Sequence, residues 1–391
     1  MEFNPLAPEV RQNPYPHFAH LRNHQPVYWV ESLQSWAVSR YDDVAYVAKN
    51  TQLFSSAPII PAILGDQNPV PEVNWLISAD PPEHTNLRKL VNKAFTPRMV
   101  GALEPRIKEI VAQLLDGIER GGDFDFVRDF STPLPLMVIA QMLGIEPQRY
   151  REFKRWSDDM LRATGGEVSP AERVRLRGSM NDLQHYFEQA IEERRRSPRE
   201  DLISALVRAE EESRALSARE VLAMCMLLLL GGNETTTNLL GSTVITLLSN
   251  PSAFAKVRAD PSLVPQMIEE MLRYESPVQA IFRSATRDAE IAGSIIPAGA
   301  RVLILYGSAN RDERRFPNPD TFDVARNPQD HLGFGFGIHY CIGAPLARLE
   351  AKVAIDAFIR HFPHIQMREQ RREWVDSFVV RGPKTLPLEV R

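Results

Sequence analysis

Residues 333–343 read Gly333-Phe334-Gly335-Phe336-Gly337-Ile338-His339-Tyr340-Cys341-Ile342-Gly343. Four glycines surround one thiol, and glycine permits the tight backbone angles that leave amide N–H groups free to point at a sulfur. Pro345 follows, a residue suited to the first turn of a helix, and the spacing predicts that helix over 345–360. Its positive end then lies beside Cys341 and favours thiolate over thiol. A lone thiolate in an otherwise apolar loop is a soft ligand for iron. An isolated buried cysteine is ordinarily inert, so the weight rests on the whole pattern around it. A nucleotide-binding glycine loop does not fit. Counting from Gly333 the third glycine position holds Ile338, and counting from Gly335 it holds Tyr340.

The remaining composition narrows the class. Cys225 and Cys341 are the only cysteines, too few for a disulfide framework or a zinc C-x-x-C pair, and they fit a reducing cytoplasm. A net charge of −4 gives no reason to expect a nucleic-acid partner. Residues 1–9 carry acids and prolines without an apolar run, so neither a secretory signal nor a membrane anchor is expected. The longest apolar run, 221–230, is too short to span a bilayer. With no repeat or Gly/Ser linker, the expectation is one continuous domain over 1–391.

Periodicity predicts a mainly α chain with small sheets near its two ends. Helices are expected at 42–49, 85–94, 105–119, 134–143, 148–163, 170–195, 217–249, 264–274 and 345–360. Short β-like runs occupy 27–30, 36–40, 289–291 and 301–305, and 375–390 reads as extended. Residues 55–77 read as a proline-rich loop. Its Ile59, Ile60, Ile63, Leu64 and Trp75 make it too apolar for a solvated one, so it should fold over something apolar.

The clearest helix starts at a capping box, Ser217 and Glu220, and ends at Asn250-Pro251. At 1.5 Å per residue it is a rod of roughly 50 Å. Gly231-Gly232-Asn233-Glu234-Thr235-Thr236 interrupts it, and Leu239, Leu240, Val244, Ile245, Leu247 and Leu248 resume the apolar pattern. Each mid-helix glycine costs about 1 kcal/mol relative to alanine. A buried Glu or Thr costs more unless partnered. Local rules broken in this way mark a functional site.

Taken together, these motifs resemble the cytochrome P450 family. F-G-x-G-x-H-x-C-x-G is similar to its haem loop, with every defining position filled by Phe334, Gly335, Gly337, His339, Cys341 and Gly343. Gly231 to Thr235 are similar to its [A/G]-G-x-[D/E]-T motif, with Asn233 where many bacterial members carry His. Glu270 and Arg273 match its E-x-x-R pair, which Arg326 would join as the third member of a structural triad. The resemblance runs from Asp80-Pro81-Pro82-Glu83-His84 to Arg381-Gly382. It implies a helix-rich P450 fold with haem b between the long helix and the cysteine-loop helix. In that family the axial thiolate, here Cys341, pushes electron density towards O–O cleavage, a property carried over with the resemblance.

The resemblance also assigns roles. Phe334, Gly335 and Gly343 would shape the loop around the cofactor, and His84, Arg88, Arg283 and His339 would meet its propionates. Glu234 and Thr235 would form the acid–alcohol pair for proton delivery. Leu227, Leu230, Gly231, Val278, Ile281 and Val379, with the 55–77 loop, would line an apolar pocket for a lipophilic substrate. Arg88, Lys89, Lys93, Arg98, Arg348 and Lys352 would form a face for a separate ferredoxin or flavodoxin, itself served by a reductase. The activity implied is insertion of one atom of O2 into a C–H bond of a fatty acid, terpenoid, steroid or polyketide-like compound, by a monomer in the cytoplasm. Three alternatives stand beside it. A peroxide-driven peroxygenase would have replaced the acid–alcohol pair, an oxidative coupling enzyme would differ in its product, and a non-catalytic haem sensor or carrier would not need Thr235.

Overall fold

The structure, a computed structural model, describes residues 2–118, 123–164, 169–213, 217–362, 364–369 and 372–390. Its helices in chain order are α1 Pro8–Gln12, α2 Tyr15–His24, α3 Tyr41–Lys49, α4 Ile59–Leu64, α5 Glu83–Ala94, α6 Pro97–Ala102, α7 Glu104–Asp116 and α8 Pro133–Met142. There follow α9 Tyr150–Thr164, α10 Pro170–Arg196, α11 Leu202–Ser213, α12 Ala218–Ser249, α13 Pro251–Ala259, α14 Val264–Tyr274, α15 Tyr306–Ala309 and α16 Ala344–His361. The strands are β1 Val27–Val30, β2 Ser35–Val38, β3 Phe54–Ser55, β4 Asp123–Asp125, β5 Ile281–Ala285, β6 Ala289–Ile291, β7 Ser294–Ile296, β8 Arg301–Ile304, β9 Ile365–Met367 and β10 Pro387–Val390.

The long helix starts as its sequence predicts. Glu220 Oε2 accepts from the Ser217 amide at 2.6 Å and from Ser217 Oγ at 2.8 Å, while the Glu220 amide donates back to Ser217 Oγ at 3.3 Å. The helix runs unbroken through both glycines to Ser249, and α13 starts at Pro251. Two expectations need correction. The 55–77 segment is not all loop, because Ile59–Leu64 is helical. Of the expected extended run 375–390, only Pro387–Val390 is a strand, and two isolated bridges, Val278 with Val380 and Trp374 with Pro383, hold the rest. The expected end of the 105–119 helix partly lies outside the described residues.

The chain forms two compact units and crosses between them at 55/56, 103/104, 134/135 and 234/235. Unit 1 comprises Met1–Ser55, Glu104–Leu134 and Thr235–Arg391, and unit 2 comprises Ser56–Leu103 and Pro135–Glu234. In unit 1 a five-stranded sheet has the order β1-β2-β8-β5-β3, with β8 parallel to β2 and antiparallel to β5. This register sets Arg283 opposite Val302.

Helix α16 is seated by aromatic packing. Phe358 meets Phe126 edge-on at 4.7 Å and Phe362 at 5.3 Å, and Phe130 lies 5.9 Å away. Burying each such ring contributes about 2–3 kcal/mol. The approach to the cysteine loop is held by polar bonds instead. Glu270 and Arg273 are both 0 % exposed and bidentate at 2.7 and 2.8 Å. Arg273 also donates to the carbonyls of Asn310 (3.0 Å) and Pro319 (2.8 Å), and Arg326 reaches Glu270 at 3.5 Å. The E-x-x-R pair is thus a buried clamp between α14 and the 310–326 segment, which Arg326 approaches. Asn310 Oδ1 then accepts from the Leu332 amide at 2.6 Å, which fixes where the loop begins. The next residue must be glycine: a Cβ at Gly333 would lie 2.6 Å from the Leu272 carbonyl oxygen.

Candidate active site

In unit 1 the cysteine loop folds back on itself. The Cys341 amide donates to the Phe334 carbonyl at 2.9 Å, across a 3-10 turn at Gly337–His339. Gly335 has φ +74°, a left-handed angle that a side chain would strain. Helix α16 begins at Ala344 with Pro345 in its first turn, and the Ala347 amide donates to the Gly343 carbonyl. Cys341 is therefore partly exposed, just before a helix N-terminus. A Cβ at Gly343 would sit 3.8 Å from Cys341 Sγ, so glycine there leaves one flank of the sulfur uncovered.

Arg348 braces this loop. Its guanidinium lies 4.5 Å over the Phe334 ring, donates to Tyr340 Oη at 3.2 Å and is bidentate with Glu269 at 2.7 and 2.8 Å. The Gly333 amide donates to His331 Nδ1 at 3.0 Å, leaving His331 Nε2 to donate to Glu269 at 2.9 Å. Arg348 was expected on a free basic face, but its charge is committed to Glu269. Lys352 is the other basic residue of that set on the same helix, and the Lys93 side chain lies outside the described residues.

Burial alone would raise the Glu269 carboxyl, but the hydrogen bonds from Arg348 and His331 and the charge of Arg348 overcome it and hold the group at about 2. Its stabilisation is full above the unfolded pKa near 4.3 and is lost as pH falls through about 2, a contribution of about 3 kcal/mol. Glu269→Gln is therefore expected to be less stable than the parent at pH 7, with the difference closing between pH 4 and 2. Denaturant unfolding across that range measures it, and parallel pH curves would remove Glu269 from the brace.

A second group in unit 1 gathers beside the loop. Arg283 on β5 is 0 % exposed, and its Nη1 donates to the Phe282 carbonyl at 2.8 Å. Burial pushes the Tyr306 phenol up while the charge of Arg283 pulls it down, so the two groups share one environment. A Cβ at Gly335 would lie 3.5 Å from the His339 carbonyl oxygen and 3.7 Å from Tyr306 Oη. Arg283, Tyr306, Gly335 and His339 thus form one neighbourhood. Tyr306 was not among the expected site residues. Val278, Ile281 and Val379 are also brought together, since the Gln279 and Ala280 amides both donate to the Val379 carbonyl, at 2.7 and 3.3 Å.

In unit 2, His84 and Arg88 lie one turn apart on α5. His84 is 2 % exposed, and burial first, then the charge of Arg88, lower its pKa, so the imidazole favours its neutral form. On α12 every residue from 221 to 247 is buried except Leu227, Leu230, Gly231, Gly232, Glu234 and Thr235. Five of the six fall within an arc of about 140° at 3.6 residues per turn, and a Cβ on the sixth, Gly232, would contact Ile139. At Gly231 a Cβ would meet nothing within 4 Å. A helix buried on its other sides thus has one partly buried stripe, and it carries the acid, alcohol and apolar lining residues named from the sequence.

Among the described residues no group of three His, Cys, Asp or Glu could hold a bare metal ion. A single thiolate retains iron when a porphyrin supplies the other donors, and Arg88 and Arg283 are cations of the kind porphyrin carboxylates need. The residues present fit haem. Among them no helix is long and apolar enough to cross a membrane.

Comparison with known proteins agrees. The cytochrome P450 family model matches residues 171–390. A putative cytochrome P450, YjiB of Bacillus subtilis, is 42% identical over 90% of this chain and 88% of its own length. Among solved structures, cytochrome P450 CYP109Q5 from Chondromyces apiculatus superposes with a TM-score of 0.90 at 45% identity, covering 99% of this chain and 98% of that one. CYP109E1 from Bacillus megaterium, solved in complex with corticosterone, has a TM-score of 0.88 at 38% identity, covering 98% and 99%.

Proposed function

This chain belongs to the cytochrome P450 family of haem monooxygenases, and from that premise we propose that it oxidises a bulky lipophilic substrate, with Cys341 as the thiolate that would hold the haem iron. The single observation that carries the site is the stripe on α12 where Leu227, Leu230, Glu234 and Thr235 are only partly buried and Gly231 is exposed, on an otherwise buried helix. Haem b, the family's cofactor, would supply the iron at which dioxygen, two electrons and two protons are used to place one oxygen atom on a C–H bond, the other leaving as water.

The chain's own residues do the rest. Cys341 Sγ would hold the metal, and the N-terminus of α16 would stabilise its negative charge. Arg283, His339, His84 and Arg88 would hold the propionates, with Phe334, Gly335 and Gly343 shaping the loop. Glu234 and Thr235 hold protons at the carboxyl and at Oγ1 and pass them inward through water. Leu227, Leu230, Gly231, Val278, Ile281 and Val379 exclude water and take the substrate's apolar surface. Those lining residues and the steroid held by the Bacillus megaterium relative support a steroid-sized substrate. Electrons come from a separate ferredoxin or flavodoxin, and the enzyme acts as a single-domain monomer in the cytoplasm.

Titrating a steroid, terpenoid and fatty-acid panel into the haem-loaded protein tests the substrate class. A steroid-sized member is expected to shift the Soret band as water leaves the iron, and no shift across the panel would reject the class. Glu234→Gln is expected to lower product formed per electron consumed by about 100-fold, the scale of one proton-transfer group. Faster turnover with hydrogen peroxide than with a ferredoxin system would favour the peroxygenase reading instead.

A further inference from the structure

Asn233 is the one position of the α12 motif that departs from the common bacterial pattern, and none of the roles above uses it. It is 2 % exposed, and its Nδ2 donates at 2.9 Å to Ser157 Oγ, which is 1 % exposed on α9. Its Oδ1 is buried without a hydrogen-bond partner. Ser157 is therefore the polar restraint on this amide, and a half-satisfied buried amide calls for an explanation. Helix α9 is in turn knitted to α10. Asp159 accepts from Arg175 at 2.5 Å and from Ser179, and Arg162 is bidentate with Glu172 at 2.8 and 3.1 Å. On α10, Arg173 and Arg177 hold Asp66, just past α4, at 3.1 and 3.0 Å. Every residue of this series belongs to unit 2. It runs from Asp66, in the 55–77 segment expected to line the substrate pocket, to the residue preceding Glu234.

We propose that Asn233 is a positioning residue that ties α9 to the α12 turn bearing Glu234, so that substrate pressing on the α4 segment and α9 sets where the Glu234 carboxyl stands. The proposal rests on the proton-delivery role given to Glu234 above. The bond is one neutral hydrogen bond, which is enough to bias an orientation and too little to determine the fold.

Two measurements test it on the haem-loaded full chain. The first is hydrogen exchange without substrate. Ser157→Ala is expected to speed exchange in a peptide covering 231–236, and Asn233→Ala to speed it in one covering 154–160. The second is the share of reducing equivalents lost as hydrogen peroxide, using the panel compound with the largest Soret shift. Asn233→Ala and Ser157→Ala should each raise that share roughly five-fold, the factor that one such bond is worth. The double variant should be no worse than the worse single one, and Ser157→Thr, which keeps the hydroxyl, should behave as the parent. Unchanged exchange, or a parental peroxide share in both single variants while Glu234→Gln still leaks, would overturn the proposal alone. A parental share in Glu234→Gln itself would overturn the role of Glu234 and the proposal with it.

Discussion

Cys341→Ser is expected to lower monooxygenase turnover by about three orders of magnitude, roughly 4 kcal/mol of transition-state stabilisation, while leaving a folded chain. A serine hydroxyl is a hard donor that stays protonated at neutral pH, so it replaces neither the bond to iron nor the thiolate charge. The fold should survive because the loop is held from both sides without the sulfur. Asn310 fixes Leu332, Arg348 and Glu269 brace Phe334, and the Cys341 amide bonds the Phe334 carbonyl. The other cysteine is the internal control. Cys225 is 0 % exposed, and burial pushes its thiol up to about 12, so Cys225→Ala should keep its turnover. Product formation and bound haem per chain check both variants. Undiminished turnover in Cys341→Ser would contradict the assignment.

The second large effect is on stability. Glu270→Ala leaves the Arg273 guanidinium fully buried with only neutral oxygens around it, and breaking such a pair from one side costs about 3–5 kcal/mol. For a chain of this length that is a fall in Tm of roughly 5 °C. Haem should be lost in step, because the clamp sits at the entry to the cysteine loop. Calorimetry of the loaded protein measures it. A shift under about 1 °C would mean that the pair is as dispensable as a surface ion pair.

The features legible in the sequence were those whose partners lie close along the chain. The Ser217–Glu220 capping box, the Glu270–Arg273 pair and the Gly333 to Gly343 loop are each complete within eleven residues. Tyr306 gave no signal, because it reaches the site only when β8 delivers it beside Gly335. Arg348 was read only as part of a basic docking face, because its partner Glu269 lies 79 residues away. The Asn233–Ser157 bond spans 76 residues and was equally hidden. Helix α4 was hidden for a different reason. Its proline-rich sequence, Ile59-Ile60-Pro61-Ala62-Ile63-Leu64, has poor helix propensity, and tertiary packing overrides so weak a prior.

Catalysis depends on sulfur from Cys341 bonding directly to haem iron. The most direct test is the absorption spectrum of the reduced, haem-loaded protein under carbon monoxide. A thiolate opposite the carbon monoxide should give the strongly red-shifted Soret band that sets such haem proteins apart, and Cys341→Ser should lose it. A parent band at the position given by an imidazole or a neutral ligand would contradict the account.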